Sequence, residues 1–248
     1  MALDVRTLEE FYDGRIGQVA RRLILRRLRA RWPNLSGQRI LGLGYAGPYL
    51  RPMVGEAERT IVAIPEVLGV ASWCVGDRNL AALVDELALP FADSFFDCLL
   101  VIHGLEATEA QRPFLRELWR VLAPAGRLIV VAPNRASLWA QMETSPFGHG
   151  QPYSRGQLGR LLDESLFRPE HWDAALFMPP FGSRRSAGGG QAWERVGRKV
   201  WPGLAGVHIV EATKSLYAPV ALTKARRRGV LKPALATNVP SKITPSKP

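Results

Sequence analysis

Apolar positions along this chain follow two spacings, one helical and one extended. Between residues 5 and 31 they recur every three or four positions, with arginines on the opposite face, which predicts an amphipathic helical segment. Short apolar runs at 39–43, 60–64 and 98–102 predict strands, the last of them covered on both faces. Because strands alternate with helices, the sequence predicts a mainly parallel sheet with right-handed crossovers.

The most informative stretch runs from residue 89 to residue 133. An LPF turn precedes the apolar run 98–102, and Phe114, Leu118 and Val121 then recur at helical spacing. A Pro-Ala-Gly turn at 124–126 breaks that helix before a second apolar run at 128–131. Farther along, 157–166 predicts a helix, 167–177 leads into a strand, and 206–217 predicts the last strand. Residues 80–87 are predicted to be helical or irregular.

The stretch 89–133 combines several residue types at fixed offsets, in the order LPF, SFFD, LE and LRELWRVLAPAGRL. It resembles the middle of class I S-adenosylmethionine-dependent methyltransferases, specifically the type 11-like small-molecule methyltransferases. The resemblance implies an α/β, Rossmann-like fold with a mainly parallel seven-stranded sheet and helices on both faces. It also implies S-adenosylmethionine as cofactor, and methyl transfer to a small molecule or to a protein side chain.

Three regions follow from this interpretation. Residues 1–36 form a basic amphipathic helical segment, and residues 37–217 form the methyltransferase-like domain. Within that domain, residues 134–205 are predicted to carry the substrate and lid insertions. Residues 218–248 are a basic tail that we expect to be disordered, because it lacks hydrophobic periodicity.

The glycine loop GLGYAG at 42–47 leaves an alternative open. It follows a strand, and Glu66 lies about 20 residues on, which is the spacing of a dinucleotide-binding fingerprint. An NAD-binding oxidoreductase is therefore an alternative. Pro48 and Pro52 count against it, because they leave a poor helix for receiving a pyrophosphate.

Within the methyltransferase resemblance, the loop after the first strand wraps the amino acid end of the cofactor. Glycine there allows a ligand to approach the backbone closely. Relatives commonly place an acidic residue where Gly42 stands, so the loop departs from the family pattern, and an inactive binding or regulatory protein of the same fold is a second alternative. The predicted loop contacts are Gly42, Gly44, Tyr45 and Gly47.

Three further residues are predicted near the cofactor. Glu66 is expected at the ribose, because a carboxylate accepts hydrogen bonds from both hydroxyls. Asp85 aligns with the acid that contacts the adenine amino group. His103, which follows the strand at 98–102, is expected near the methionine moiety or the substrate, where it is a candidate general base.

Substrate contacts are expected in residues 134–205, where aromatic, glycine and hydrogen-bonding residues suit a lid over the cofactor. The candidates for substrate contact are His149, Tyr153 and Glu194, and His149 and Tyr153 join His103 as catalytic candidates. No metal site is expected, because the four histidines are scattered and unpaired with cysteine. Cys74 and Cys98 are expected to be buried, reduced thiols.

Charge is concentrated at the two ends of the chain. Of the 248 residues, 15–31 carry seven basic side chains and no acid, and 218–248 carry seven more, within a net charge of +11. These segments favour an anionic partner, namely an acidic protein, nucleic acid or a membrane surface. No apolar run approaches the roughly 18 residues that span a bilayer, and no signal-peptide core is visible, so a cytoplasmic location is expected.

Overall fold

The structure is a computed structural model that describes residues 3–180 and 190–215, so residues 181–189 and the predicted tail from residue 218 lie outside the described residues. The strands are β1 (Arg39–Gly44), β2 (Arg59–Pro65), β3 (Cys74–Val75), β4 (Arg78–Asn79), β5 (Ala81–Val84), β6 (Phe96–Ile102), β7 (Leu122–Pro133), β8 (Phe167–Ala175) and β9 (Val207–Lys214). The α-helices are α1 (Val5–Asp13), α2 (Arg15–Arg31), α3 (Gly47–Leu50), α4 (Gln111–Val121), α5 (Leu138–Gln141), α6 (Arg155–Glu164) and α7 (Gly190–Val200).

Seven strands form one sheet in the order β5-β2-β1-β6-β7-β9-β8. The strands β5, β2, β1, β6 and β7 pair in parallel, and β9 pairs antiparallel to both of its neighbours. The predicted mainly parallel seven-stranded sheet is therefore confirmed. The strand order reverses between β1 and β6, and crevices at the carboxyl ends of such a pair are where open α/β sheets bind ligands.

Helices cover both faces of the sheet, as predicted. On one face, the apolar sides of α1, α2 and α3 share a core with the inward side chains of β1, β2 and β6. On the other face, α4 and α6 pack on the same strands, for example through Phe114, Leu118 and Leu158, which are fully buried. The amphipathic segment at 5–31 consists of two helices that meet at Gly14, and its apolar face lies in the core of the domain.

Residues 80–87 do not form a helix, and here the prediction is wrong. Ala81–Val84 is the edge strand β5, paired in parallel with β2 from Val62↔Ala81 to Pro65↔Val84. Its short sequence AALV carries no local strand period, so hydrogen bonding to β2 decides its conformation. The two-stranded hairpin of β3 and β4 occupies the connection from β2 to β5.

Several arginines of the segment 15–31 contact acidic side chains of the domain. Arg29 makes two hydrogen bonds to Glu56, and Arg27 lies 3.7 Å from Glu194. Arg31 lies 3.9 Å from Glu211. Within the described ranges, no helix is both long enough and apolar enough to cross a bilayer.

Candidate active site

The glycine loop after β1 turns sharply against the end of β6. Gly44 has a φ of 78°, and a Cβ atom there would overlap the carbonyl oxygen of Ile102. The same carbonyl accepts a 2.7 Å hydrogen bond from the backbone N–H of Tyr45. Only glycine fits this conformation and this close approach. The loop is thereby fixed at the point where the strand order reverses.

A cavity of about 310 Å³ lies beside this loop, at the carboxyl ends of β1 and β2. Its volume is near the lower end of the range for small-molecule sites. Three of the predicted cofactor residues line it, namely Gly44, Tyr45 and Gly47. The remaining lining residues are Glu9, Asp13, Arg21, Pro48, Arg51, Val62, Ile64, Ala71, Ser72 and Trp73.

Charged side chains from the two N-terminal helices form one wall of the cavity. Glu9 and Asp13 belong to α1, and Arg21 belongs to α2. The pKa of Tyr45 is raised to about 12, chiefly by burial and then by the negative charges of Glu9 and Asp13. Both carboxylates therefore act on the phenol that lies on the glycine loop.

An apolar wall faces these charges. Val62 and Ile64 project from β2, and the indole ring of Trp73 lies against Gly47, where a Cβ atom would approach it to 2.9 Å. Trp73 is only 8% exposed, and its indole Nε1 has no hydrogen-bond partner in the described part of the chain. A buried donor without a partner costs about 1–3 kcal/mol, so this N–H suits an acceptor on a bound molecule.

Next to the cavity, a buried hydrogen-bond chain connects four side chains. The hydroxyl of Tyr49 donates to the hydroxyl of Tyr12 at 2.8 Å, and Tyr12 bonds Nε2 of His103 at 2.8 Å. His103 Nδ1 lies 3.0 Å from Glu106 Oε1. With Tyr12 as the donor to Nε2, the hydrogen on Nδ1 is donated to Glu106.

Helix α1 shields this hydrogen-bond network from solvent. His103 is fully buried, and the ring of Tyr12 stacks on the ring of Tyr45 with 5.3 Å between their centroids. Burial raises the pKa of both Tyr12 and Tyr49 well above the ordinary value for a phenol. His103 also has a φ of 55°, a strained conformation of the kind that clusters at functional sites. As the chain is folded here, Nε2 of His103 reaches a ligand only if α1 moves.

The segment 145–154 crosses over the loop that follows β6. The backbone of Gln151 donates to the carbonyl of Glu106, and the hydroxyl of Tyr153 donates to the carbonyl of Leu105. The ring of Phe147 lies 4.9 Å from that of His103. This segment therefore covers the His103 end of the site, and its action as a lid stays a prediction.

Gly42 does not face the cavity. A Cβ atom at this position would lie 2.6 Å from the side chains of Ala46 and Leu50, so the backbone of β1 here is packed against α3. Close packing of α3 against β1 therefore favours glycine at this position. The sequence predicts Gly42 among the loop contacts of the cofactor, but Gly42 lies within β1 and does not line the cavity.

The other predicted cofactor acids lie outside the cavity lining. Glu66 is exposed in a 3-10 turn after β2, and Asp85 is exposed and accepts a hydrogen bond from the backbone N–H of Leu87. Both follow the carboxyl ends of strands, at the edge of the sheet where the cavity opens. Their roles at the ribose and the adenine remain predictions.

The three predicted substrate residues are not brought together. Tyr153 is a buried residue of the segment 145–154, while His149 on the same segment is half-buried. Glu194 is 4% exposed, accepts a 2.8 Å hydrogen bond from the backbone of Phe177 and lies near Arg27. Its carboxylate joins α7 to the end of β8, which is a structural role.

Sequence reasoning missed Glu9, Tyr12, Asp13, Arg21 and Trp73. The signal for three of them was present, because residues 12 and 13 lie three and four positions after residue 9 and therefore share one face of a helix with it. Their significance depends on where α1 docks. That docking joins Tyr12 to a residue 91 positions away, which no local pattern reports.

Comparison with known proteins agrees with this geometry. Residues 42–130 match the methyltransferase domain family. The ubiquinone/menaquinone biosynthesis C-methyltransferase UbiE of Serratia proteamaculans is 33% identical over 106 residues, which are 38% of this chain and 42% of that protein. The chain therefore matches less than half the length of this curated relative.

Solved structures share the fold at low sequence identity. A methyltransferase of Thermotoga maritima superposes with a TM-score of 0.57 and 18% identity, over 85% of this chain and 96% of the other. The cyclase SpnF superposes with a TM-score of 0.53 and 19% identity, over 78% and 81% of the two chains. At these identities the likeness concerns the fold alone.

Proposed function

We propose that this protein transfers a methyl group from S-adenosylmethionine to a small molecule or a protein side chain. The match of residues 42–130 to the class I S-adenosylmethionine-dependent methyltransferase superfamily supports this proposal. The observation that carries the proposal is the cavity beside the glycine loop, at the carboxyl ends of β1 and β2. Open α/β sheets bind their ligands at this edge.

The lining of the cavity fits the cofactor chemically. S-adenosylmethionine combines a planar base, a ribose, a sulfonium and a zwitterionic amino acid. The indole N–H of Trp73, which has no hydrogen-bond partner among the described residues, lies on the apolar wall of the cavity. Side chains of both charges lie on the opposite wall. Glu66 and Asp85 stand at the same edge as further proposed contacts of the ribose and the adenine.

When bound, the cofactor supplies a methyl group already activated by its sulfonium. What the chain must add is alignment of the acceptor and exclusion of water. The lid segment 145–154 and α1 supply the covering surfaces, since both lie over the end of β6. His103 remains a proposed base, acting once Tyr12 withdraws from its Nε2.

A fold-retaining binding or regulatory protein is the second candidate, and a specific observation favours it. The only histidine at the end of β6 is sealed by Tyr12, and Gly42 supplies no acid. Cyclase SpnF also carries this fold with a differently described activity, so the fold does not decide between the two.

The oxidoreductase alternative loses support. A dinucleotide pyrophosphate binds at the N-terminus of a helix that follows the glycine loop. Here that helix is α3, which has only four residues and contains Pro48. It offers few free backbone N–H groups to a pyrophosphate.

An anionic partner remains a proposal for the exposed side of α2. Arg22 and Arg26 are exposed there, and neither forms an ion pair with the residues that the structure describes. The affinity for such a partner is expected to fall as the salt concentration rises, because salt screens exposed charges.

Titration calorimetry with S-adenosylhomocysteine tests cofactor binding, and transfer of a labelled methyl group into fractions of a cell extract tests activity. We expect saturable binding and labelling of one fraction. Absence of binding at millimolar ligand would contradict the cofactor assignment. Binding without any labelled product would favour the regulatory alternative.

A further inference from the structure

The cofactor cavity has a charged wall that comes entirely from outside the glycine loop and the strands. Glu9 and Asp13 come from α1, Arg21 from α2, and Arg51 from the 3-10 turn that follows α3. The guanidinium of Arg51 donates to the carbonyl of Cys74, which fixes it at the rim. The cavity is therefore divided into a charged side and an apolar side.

Three of these charges are unused by the protein. Among the described residues, the side chains of Glu9, Asp13 and Arg21 make no hydrogen bond and no ion pair. On the same helix α2, Arg27, Arg29 and Arg31 have acidic partners within 4.0 Å. Arg22 and Arg26, which form no ion pair among the described residues, lie on its exposed side and do not line the cavity. Opposite charges that face one cavity without pairing are suited to a ligand that carries both signs.

Strand β1 has no room for an acid. The Cβ atom of any larger residue at Gly42 would meet Ala46 and Leu50 at 2.6 Å. A carboxylate at this strand position would be forced between the sheet and α3. A positively charged group of a bound ligand must therefore find its carboxylate partner on a helix or strand other than β1. Helix α1 provides two carboxylates at the cavity, those of Glu9 and Asp13.

We infer that α1 and α2 bind the amino acid end of the cofactor, with Glu9 and Asp13 accepting from its ammonium group and Arg21 donating to its carboxylate. This inference rests on the proposed function. The N-terminal helices are then part of the cofactor site, and they replace the acid that the strand cannot carry. The base lies toward Val62, Ile64 and Trp73, on the opposite wall.

The test compares two ligands that differ only at the amino acid end. S-adenosylhomocysteine carries the zwitterion, while 5′-methylthioadenosine keeps the base, ribose and sulfur without it. Calorimetry is run on the wild type, Glu9→Gln/Asp13→Asn and Arg21→Gln. The control is Glu10→Gln, because Glu10 is exposed on the same helix but does not line the cavity.

We expect each cavity variant to lose about tenfold or more in affinity for S-adenosylhomocysteine, the size typical of a lost charge-assisted hydrogen bond. Affinity for 5′-methylthioadenosine is expected to stay within about twofold of the wild type, which shows that the variants are folded. Glu10→Gln is expected to bind both ligands as the wild type does.

The outcomes separate the inference from the proposed function. If the wild type binds neither ligand, the proposed function fails and the inference fails with it. If the wild type binds S-adenosylhomocysteine and the cavity variants bind it equally well, the inference is overturned while cofactor binding stands. Equal losses for both ligands would also overturn it, since they would place the charges at another part of the cofactor.

Discussion

The hydroxyl oxygen of Tyr12 lies 2.8 Å from Nε2 of His103, across 91 residues of chain. This contact joins α1 to the end of β6, and Tyr49 extends it by donating to Tyr12. All three residues are at least 95% buried. The pair therefore closes the edge of the sheet where the candidate site lies, and it makes α1 an integral part of that site.

Tyr12→Phe is expected to destabilise the protein by about 1–3 kcal/mol, because it leaves Nε2 of His103 and the hydroxyl of Tyr49 buried without that partner. Urea unfolding at neutral pH measures the loss. Tyr45→Phe is the matched control, since the Tyr45 ring stacks on Tyr12 but its hydroxyl has no hydrogen bond in the described part of the chain. Equal losses in both variants would contradict this prediction, because they would show that the hydrogen-bonded hydroxyl of Tyr12 contributes no more than the hydroxyl of Tyr45.

An acidic side chain at position 42 is expected to destabilise the protein. Gly42→Ala should cost about 1–3 kcal/mol through contact with Ala46 and Leu50, and Gly42→Asp should cost more because it also buries a charge. Thermal melting and S-adenosylhomocysteine titration are the measurements. Gly55→Ala is the control, because a Cβ atom there meets nothing within 4 Å. Tighter ligand binding by Gly42→Asp would contradict the packing argument.

Glu117 is expected to make stability depend on pH. Hydrogen bonds from Arg120 lower the pKa of its carboxyl below the ordinary 4.5, with a further one from the backbone of Leu89. A lowered folded-state pKa means that the stabilisation is full above the ordinary pKa and is lost as pH falls through the folded one. Glu117→Gln should therefore lose most stability near neutral pH, by about 1–3 kcal/mol, and converge on the wild type in acid.

Urea midpoints across the acidic range measure this convergence. Glu109→Gln is the control, because Glu109 is exposed just before α4 and has no ion pair or side-chain hydrogen bond among the described residues. A constant difference between wild type and Glu117→Gln at every pH would show that the carboxylate charge plays no part.

Arg27 is expected to compensate the buried charge of Glu194. The guanidinium lies 3.7 Å from that carboxylate and 3.8 Å from Asp173, and burial raises the pKa of Glu194. Arg27→Met should destabilise by roughly 3 kcal/mol, because it leaves the carboxylate without its cation. Adding Glu194→Gln should recover most of that loss in a double-mutant cycle. Arg26→Met is the control, because Arg26 is exposed at the neighbouring position, and it should change stability little. If the effects of the Arg27 and Glu194 substitutions are additive, the two side chains are not coupled and the prediction is wrong.

The sequence determined the central unit from β6 to β7. Its apolar runs and the helical spacing of Phe114, Leu118 and Val121 are local signals, and both are confirmed. The turn predicted at 124–126 is wrong, because these residues lie within β7, which begins directly after α4 at Leu122. The glycine at position 44 was likewise readable, because its close approach to the backbone is a property of the turn itself.

Tertiary structure alone decided the edge strand and the composition of the site. Ala81–Val84 is a strand because β2 offers it hydrogen-bonding partners, and Glu9, Tyr12 and Asp13 reach the cavity because α1 docks over the glycine loop. Both outcomes depend on contacts between distant segments. A local pattern records which face of an element is apolar, but the partner of that face is fixed only when the whole core packs.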